Sequence, residues 1–394
     1  MVNVGLISAA IFYGIIVLYF FKTRKKWEVH GLLAIYRTKV GIKLMDKIAN
    51  FSPRFLKVLG YFGVVIGFIG MAFTFVMLIK SALDLFLIKG AAPGFAPVLP
   101  GVTIPGLPTL GFWHWLIGIF VLATVHEFAH GILARVHKLK VKSSGFGLLG
   151  PILLAFVEPD EKKLSKSKKK EQLSVYAAGP LSNFIFAFIF ALIFYFLLIP
   201  LSNVLYEPQG FVVANVTQGY DIATKNIELP FTISGINGIN ADDERFTKIF
   251  GTLEPGKTLS LDTDKGNYEI VTGENPSDSK KGYIGIQGNI EYGLKEKFGN
   301  YGFIDGAFKW IRLLFFWLFS LNLGVGLFNL LPLGPVDGGR MFLVFSQFVF
   351  KDEKKAKRLW LWTMYAVLFL IFVNLIPWLT KFITFITGFL SRLG

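Results

Sequence analysis

The sequence predicts a polytopic α-helical membrane protein with six transmembrane helices and one extracytoplasmic β-rich domain. Three observations carry the prediction. Six apolar stretches, 4–21, 58–79, 112–136, 174–200, 307–331 and 358–378, are long enough, or nearly so, to cross a hydrocarbon core, which takes ~20 residues of helix. The segments between them alternate in charge. One of those segments, 201–305, reads as a soluble domain and is long enough to bury a core of its own. Composition agrees: 53% of the 394 residues are hydrophobic and 17% are charged, where a soluble domain carries roughly 25% charge. Mean hydropathy is +0.55. These values exclude an ordinary soluble enzyme, and they exclude disorder, which needs low hydrophobicity.

Taken in order, the first stretch has no basic leading region and no A-x-A-like cleavage site, so it is read as a retained span and not as a signal peptide. Segment 22–57 holds ten Lys/Arg against two acidic residues. Segment 80–111 is nearly uncharged and rich in proline (Pro93, Pro97, Pro100, Pro105, Pro108), which predicts an ordered outer loop without regular elements. Segment 138–172 is basic again, nine against four, and so is 340–358, six against two. Segment 201–305 is acidic, with fifteen acidic residues against nine basic. Its β-type runs at 210–216, 258–262, 268–272 and 283–287 are separated by Gly, Pro and Asp turns. Basic loops stay in the cytoplasm, so the N-terminus and 201–305 are expected outside the cell membrane. A short interfacial helix is expected over 379–393. The resulting division is 1–57, 58–111, 112–200, 201–305, 306–350 and 351–394. The net charge of +15 is then an attraction for an anionic inner leaflet. A nucleic-acid-binding chain has no reason to alternate its charge with apolar spans.

The third span carries His126-Glu127-Phe128-Ala129-His130. Residues at i and i+4 share a helical face one turn apart, so the two imidazoles can hold one metal ion, and Glu127 can reach water activated there without being a ligand. An acidic side chain in hydrocarbon costs ~2.5 kcal/mol or more, so chance placement is disfavoured. A polar face lining a water-filled cavity is the bland alternative. The chain has no cysteine, which excludes thiolate ligands, and a catalytic zinc takes three protein ligands. The clear further candidate is Asp337, in the stretch Asn329 to Arg340 that ends the fifth span. Pro332 and Pro335 break the helix there, at a depth where irregular backbone must be buried or line a cavity. A helix N-cap is the alternative role for Asp337. His30, His114 and His137 have no His, Asp or Glu at ligand spacing in the sequence, and Glu158 and Asp160, weak further metal candidates, sit in a charged loop, so all five are read as ordinary surface or interfacial residues.

Together these segments resemble the site-2 proteases, intramembrane zinc metalloproteases that pair H-E-x-x-H with N-x-x-P…D-G in a later span. The resemblance implies Zn²⁺ as cofactor, His126, His130 and Asp337 as its ligands, and Glu127 as general acid/base. It implies transmembrane proteins as substrates, often after an upstream protease has trimmed them. Gly334, Pro335 and Val336 depart from the commonest pattern, although Asp337 keeps its distance from Asn329. Ala178-Gly179-Pro180-Leu181-Ser182-Asn183 resembles the family's G-P-x-x-N motif. It makes Asn183, with Asn329, a substrate-binding candidate; helix packing is the other reading of Asn183. Segment 145–157 resembles a re-entrant β-loop whose edge could pair with an unwound substrate. Segment 201–305 is similar to a PDZ domain, with Ile233-Ser-Gly-Ile-Asn-Gly238 as its most specific match. Two rival functions are a metal-binding membrane transporter and a non-proteolytic scaffold that presents the PDZ-like domain.

Overall fold

The computed structural model describes residues 4–102, 104, 106–150, 152–298 and 302–390; Pro105, Pro151 and positions 391–393 of the expected tail helix lie outside them. In chain order the elements are α1 (Val4–Thr23), β1 (Trp27–His30), β2 (Leu33–Thr38), α2 (Ile42–Phe51), α3 (Pro53–Leu87), α4 (Phe112–Val136), β3 (Val141–Leu149), β4 (Ile152–Pro159), α5 (Glu161–Leu164) and α6 (Lys169–Ile193). There follow α7 (Ile199–Leu205), β5 (Tyr206–Val216), α8 (Asp221–Thr224), β6 (Phe231–Ile236), β7 (Ile239–Asn240), α9 (Glu244–Thr252), β8 (Thr258–Thr263), β9 (Gly266–Val271), β10 (Gly273–Asn275), β11 (Asp278–Tyr283) and β12 (Ile286–Leu294). Helices α10 (Gly302–Asn329), α11 (Asp337–Val349) and α12 (Glu353–Leu390) complete the chain.

Among the described residues, six helices are long and apolar enough to cross a membrane. Large apolar side chains on them, such as Leu18, Ile69, Phe188 and Phe369, are exposed. Water would penalise such a surface, whereas lipid solvates it. The chain is a multi-pass membrane protein. It divides into two compact units, one formed by Met1–Phe194 with Ile311–Gly394 and the other by Tyr195–Trp310.

In the first unit, α3 carries Gly60, Gly63, Gly67 and Gly70 buried along one face. A Cβ on Gly63 would stand 2.8 Å from Leu181 of α6, and one on Gly67 2.7 Å from Met341 of α11. Small residues let neighbouring helices close to this distance, where dispersion replaces the hydrophobic effect as the attraction. Met71, Leu173, Ala177, Leu330, Met341 and Val344 fill the seam.

Beside the helices lies a four-stranded antiparallel sheet ordered β1-β2-β3-β4. The apolar segment 145–157 supplies most of β3 and β4, and Gly150, at φ +56°, lies between the two strands. The basic segment 22–57, read above only as a cytoplasmic loop, contributes β1 and β2. Its hairpin turns at Gly31 (φ +60°) and docks β2 on β3 from Leu33↔Leu149 to Thr38↔Ser144. Short strands of mixed polarity gain their stability from that neighbour, so periodicity gave no warning. Among the described residues, the edge of β4 away from β3 pairs with no strand.

The proline-rich outer segment is fixed by side chains. Ser81 Oγ accepts the Gly94 amide at 2.5 Å, Trp378 Nε1 donates to the Phe95 carbonyl at 2.9 Å, and Trp115 Nε1 to that of Val98 at 3.1 Å. The tail differs from expectation: α12 runs unbroken through Pro377 to Leu390. Buried Asn374 and half-buried Trp378 anchor both sides of that proline, and spanning helices tolerate such a break when neighbours satisfy the freed groups.

In the second unit, the main antiparallel sheet is ordered β12-β5-β6-β8-β9, with β7 on β6. Val213, Phe231, Ile233, Ile236, Leu261 and Ile270 form its core together with Phe246 of α9, each fully buried or nearly so. Asn237 and Gly238, both at positive φ, make the two-residue hairpin from β6 to β7, the backbone that an Asn-Gly pair favours. The expected strand at 283–287 is divided, because Gly285 at φ +83° separates β11 from β12.

Candidate metal centre

Helix α4 places His126 and His130 on its buried face, and α11 begins with Asp337. The N-cap of α11 is Val336, so Asp337 is the first helical residue and its carboxylate is directed elsewhere. His126 Nε2 lies 2.9 Å and His130 Nε2 3.2 Å from Asp337 Oδ2. The three side chains are buried, and their ligand atoms all fall within 4.8 Å of one another. The sharp return from α10 explains the glycines that follow. A Cβ on Gly338 would strike the carbonyl of Leu330, and one on Gly339 that of Leu333. Trp360 of α12 then pins the turn by donating to the Gly339 carbonyl at 2.9 Å.

Two imidazole nitrogens and a carboxylate oxygen form a donor set suited to zinc, with room for a fourth position. A second observation supports the fit. Gly179 of α6 faces both rings, and a Cβ there would stand 2.5 Å from His126 Nε2 and closer still to His130 Nε2. The outer ring atoms are held too. His130 Nδ1 is 2.7 Å from the Val175 carbonyl, an acceptor that fixes Nδ1–H and turns Nε2 toward Asp337. The other ring's Nδ1 is 3.1 Å from Asn183 Nδ2.

The two nitrogens and the carboxylate open on a cavity of about 680 Å³ that Glu127, Tyr176 and Asn329 also line. Glu127 Oε2 accepts the Val157 amide at 3.0 Å, so the β4 edge positions that carboxylate. Around the cavity, Arg37 pairs with Glu28 and Glu158, Lys142 with Asp160 at 3.8 Å, and Arg340 with Glu161 at 3.4 Å. Asn183 is fully buried and does not line the cavity. His137, just beyond α4, bonds Ser174 Oγ at 3.1 Å, and burial pushes it below the ordinary histidine range.

Sequence reasoning did not single out Gly179, the Val175 carbonyl or the Val157 amide. Gly179 stood inside a quoted motif, but only helix crossing shows what its missing side chain admits. The backbone groups leave no residue-type signal at all.

The arrangement is of the kind a metallopeptidase uses, in a chain with six helices long and apolar enough to cross a membrane. A sequence model of peptidase family M50 matches residues 114–372, from the start of α4 to about the middle of α12. The chain belongs to peptidase family M50, the family of the site-2 proteases. It is also similar to an uncharacterized protein of Methanocaldococcus jannaschii, 29% identical over 337 residues, covering 82% of this chain and 80% of the relative.

Proposed function

We propose that the chain is an intramembrane zinc metalloprotease that hydrolyses peptide bonds within or near transmembrane segments of other membrane proteins. One observation carries the reading: two imidazole Nε2 atoms and the Asp337 carboxylate converge, buried, among helices able to cross a membrane, with Glu127 in the same cavity. Zinc held by His126, His130 and Asp337 supplies Lewis acidity that brings the pKa of water toward ~7. Glu127 takes the proton from the attacking water and passes it to the leaving amine. The Val157 amide restrains one carboxylate oxygen and leaves the other for that transfer.

A helical substrate hides its amides in its own hydrogen bonds, so it must unwind. The open edge of β4 supports a way to hold it extended. Val157 directs its N–H away from β3, and strand alternation turns those of Ala155 and Leu153 the same way. Asn329, in the cavity, suits substrate contact.

The basic loops support a site a short way inside the cytoplasmic face, next to the anionic inner leaflet. They also support an outer N-terminus and an outer β-rich unit. We read that unit as PDZ-like, acting as a filter against bulky ectodomains that an upstream protease would first trim. A transporter is less well supported, because the described residues hold a single group of His and carboxylate side chains able to bind a metal.

The test is zinc content and cleavage of a model transmembrane substrate by wild type and Glu127→Gln. Stoichiometric zinc in both, with turnover lowered ~10²–10⁴-fold in the variant, is the expected result. A wild type without zinc or without cleavage would overturn the proposal.

A further inference from the structure

Asn183 touches the His126 ring and does not line the cavity. It is fully buried between α4 and α10, where a Cβ on Gly326 would stand 3.3 Å from Asn183 Cβ. Its Nδ2 is 3.1 Å from His126 Nδ1, while its Oδ1 is buried with no hydrogen-bond partner. That pairing is inconsistent with a metal ligand. A neutral imidazole that ligates through Nε2 carries its proton on Nδ1, so Nδ1 needs an acceptor. An amide N–H₂ facing Nδ1–H would oppose donor to donor and leave an orphan acceptor, each a penalty of ~1–3 kcal/mol when buried. Turning the amide through 180° keeps its shape and exchanges the two atoms. Oδ1 then accepts from His126 Nδ1–H, and the orphan disappears. His130 already shows the finished arrangement, with the Val175 carbonyl as acceptor at 2.7 Å.

We infer that Asn183 is a positioning residue for the metal centre: its Oδ1 accepts His126 Nδ1–H and fixes the tautomer and ring orientation that direct Nε2 to the metal. The inference rests on the zinc reading above. Helix α6 thereby serves both rings, through the Val175 carbonyl on one side and the Asn183 amide on the other, with Gly179 between them.

Zinc affinity, measured by chelator competition on the full-length purified protein, tests it with Asn183→Ala and Asn183→Asp. Alanine should weaken zinc binding ~10–100-fold. Aspartate, which can only accept, should restore it to within a few-fold of wild type. Alanine that keeps wild-type zinc affinity and raises only KM would overturn the inference in favour of substrate binding. So would aspartate as damaging as alanine in a protein that still folds. A wild-type measurement covers variants that fail to fold. In zinc-loaded protein labelled with ¹⁵N-histidine, both rings that carry zinc on Nε2 should show exchange-protected Nδ1–H protons. A freely exchanging proton on one of those rings overturns the inference, and a wild type that binds no zinc overturns it together with the protease reading.

Discussion

Replacing Gly179 by alanine reverses the usual sign of that substitution. In a helix interior, Gly→Ala ordinarily stabilises by ~1 kcal/mol. Here the new methyl carbon would stand 2.5 Å from His126 Nε2, where ordinary contact begins near 3.4 Å, so a ring or the whole helix must retreat by roughly 0.9 Å. Ligand distances at a metal hold to about ±0.2 Å, so the displaced nitrogen leaves the coordination shell. Overpacking of this kind costs ~1–3 kcal/mol, which is roughly five- to 150-fold if it falls on metal affinity. The assay is zinc competition with a chelator on detergent-purified protein, paired with thermal unfolding of both proteins without metal. The variant should lose zinc affinity by that factor while its metal-free form unfolds within a few degrees of wild type. Wild-type zinc affinity in Gly179→Ala would refute the argument that α6 presses its backbone against the two rings.

The other expectations concern supports away from the metal. Trp360→Phe removes the donor to the Gly339 carbonyl and should lower thermal stability by ~1 kcal/mol; zinc affinity, measured alongside, should fall by no more than roughly fivefold. In the β-rich unit, Asp243 caps α9, and hydrogen bonds from the Arg245 side chain and backbone hold its carboxyl down to about 2. That contribution is present above the unfolded value near 3.8 and is lost as pH falls through 2. Asp243→Asn should therefore unfold more readily than wild type at pH 7, and the gap should close near pH 2, as followed by circular dichroism.

Much of the site was legible because its chemistry is local. His126, Glu127 and His130 share one turn of one helix, and a buried acid in an apolar chain is costly enough to mark itself. Asp337 was reachable from the proline-broken end of the fifth span, although its use as an N-cap stayed open until its carboxylate was found on the two imidazoles. Asn183 stood out by its polarity within an apolar helix, but its neighbour could not be read, since the amide fits a substrate or a helix equally well. The hairpin of β1 and β2 was missed because its strands are short and draw their pairing from β3, more than a hundred residues away in sequence.

By itself the sequence determined the six spans, their alternating charge, the separate β-rich segment and the residue types able to bind metal, because length, apolarity and helical spacing act over one or two turns. Only the tertiary structure decided that Gly179 must lack a side chain, that the Val175 carbonyl and Val157 amide serve His130 and Glu127, and that Asn183 meets His126. Those are contacts between elements. They depend on how closely α4, α6, α11 and β4 approach one another, a distance that side-chain volume sets and that no single segment encodes.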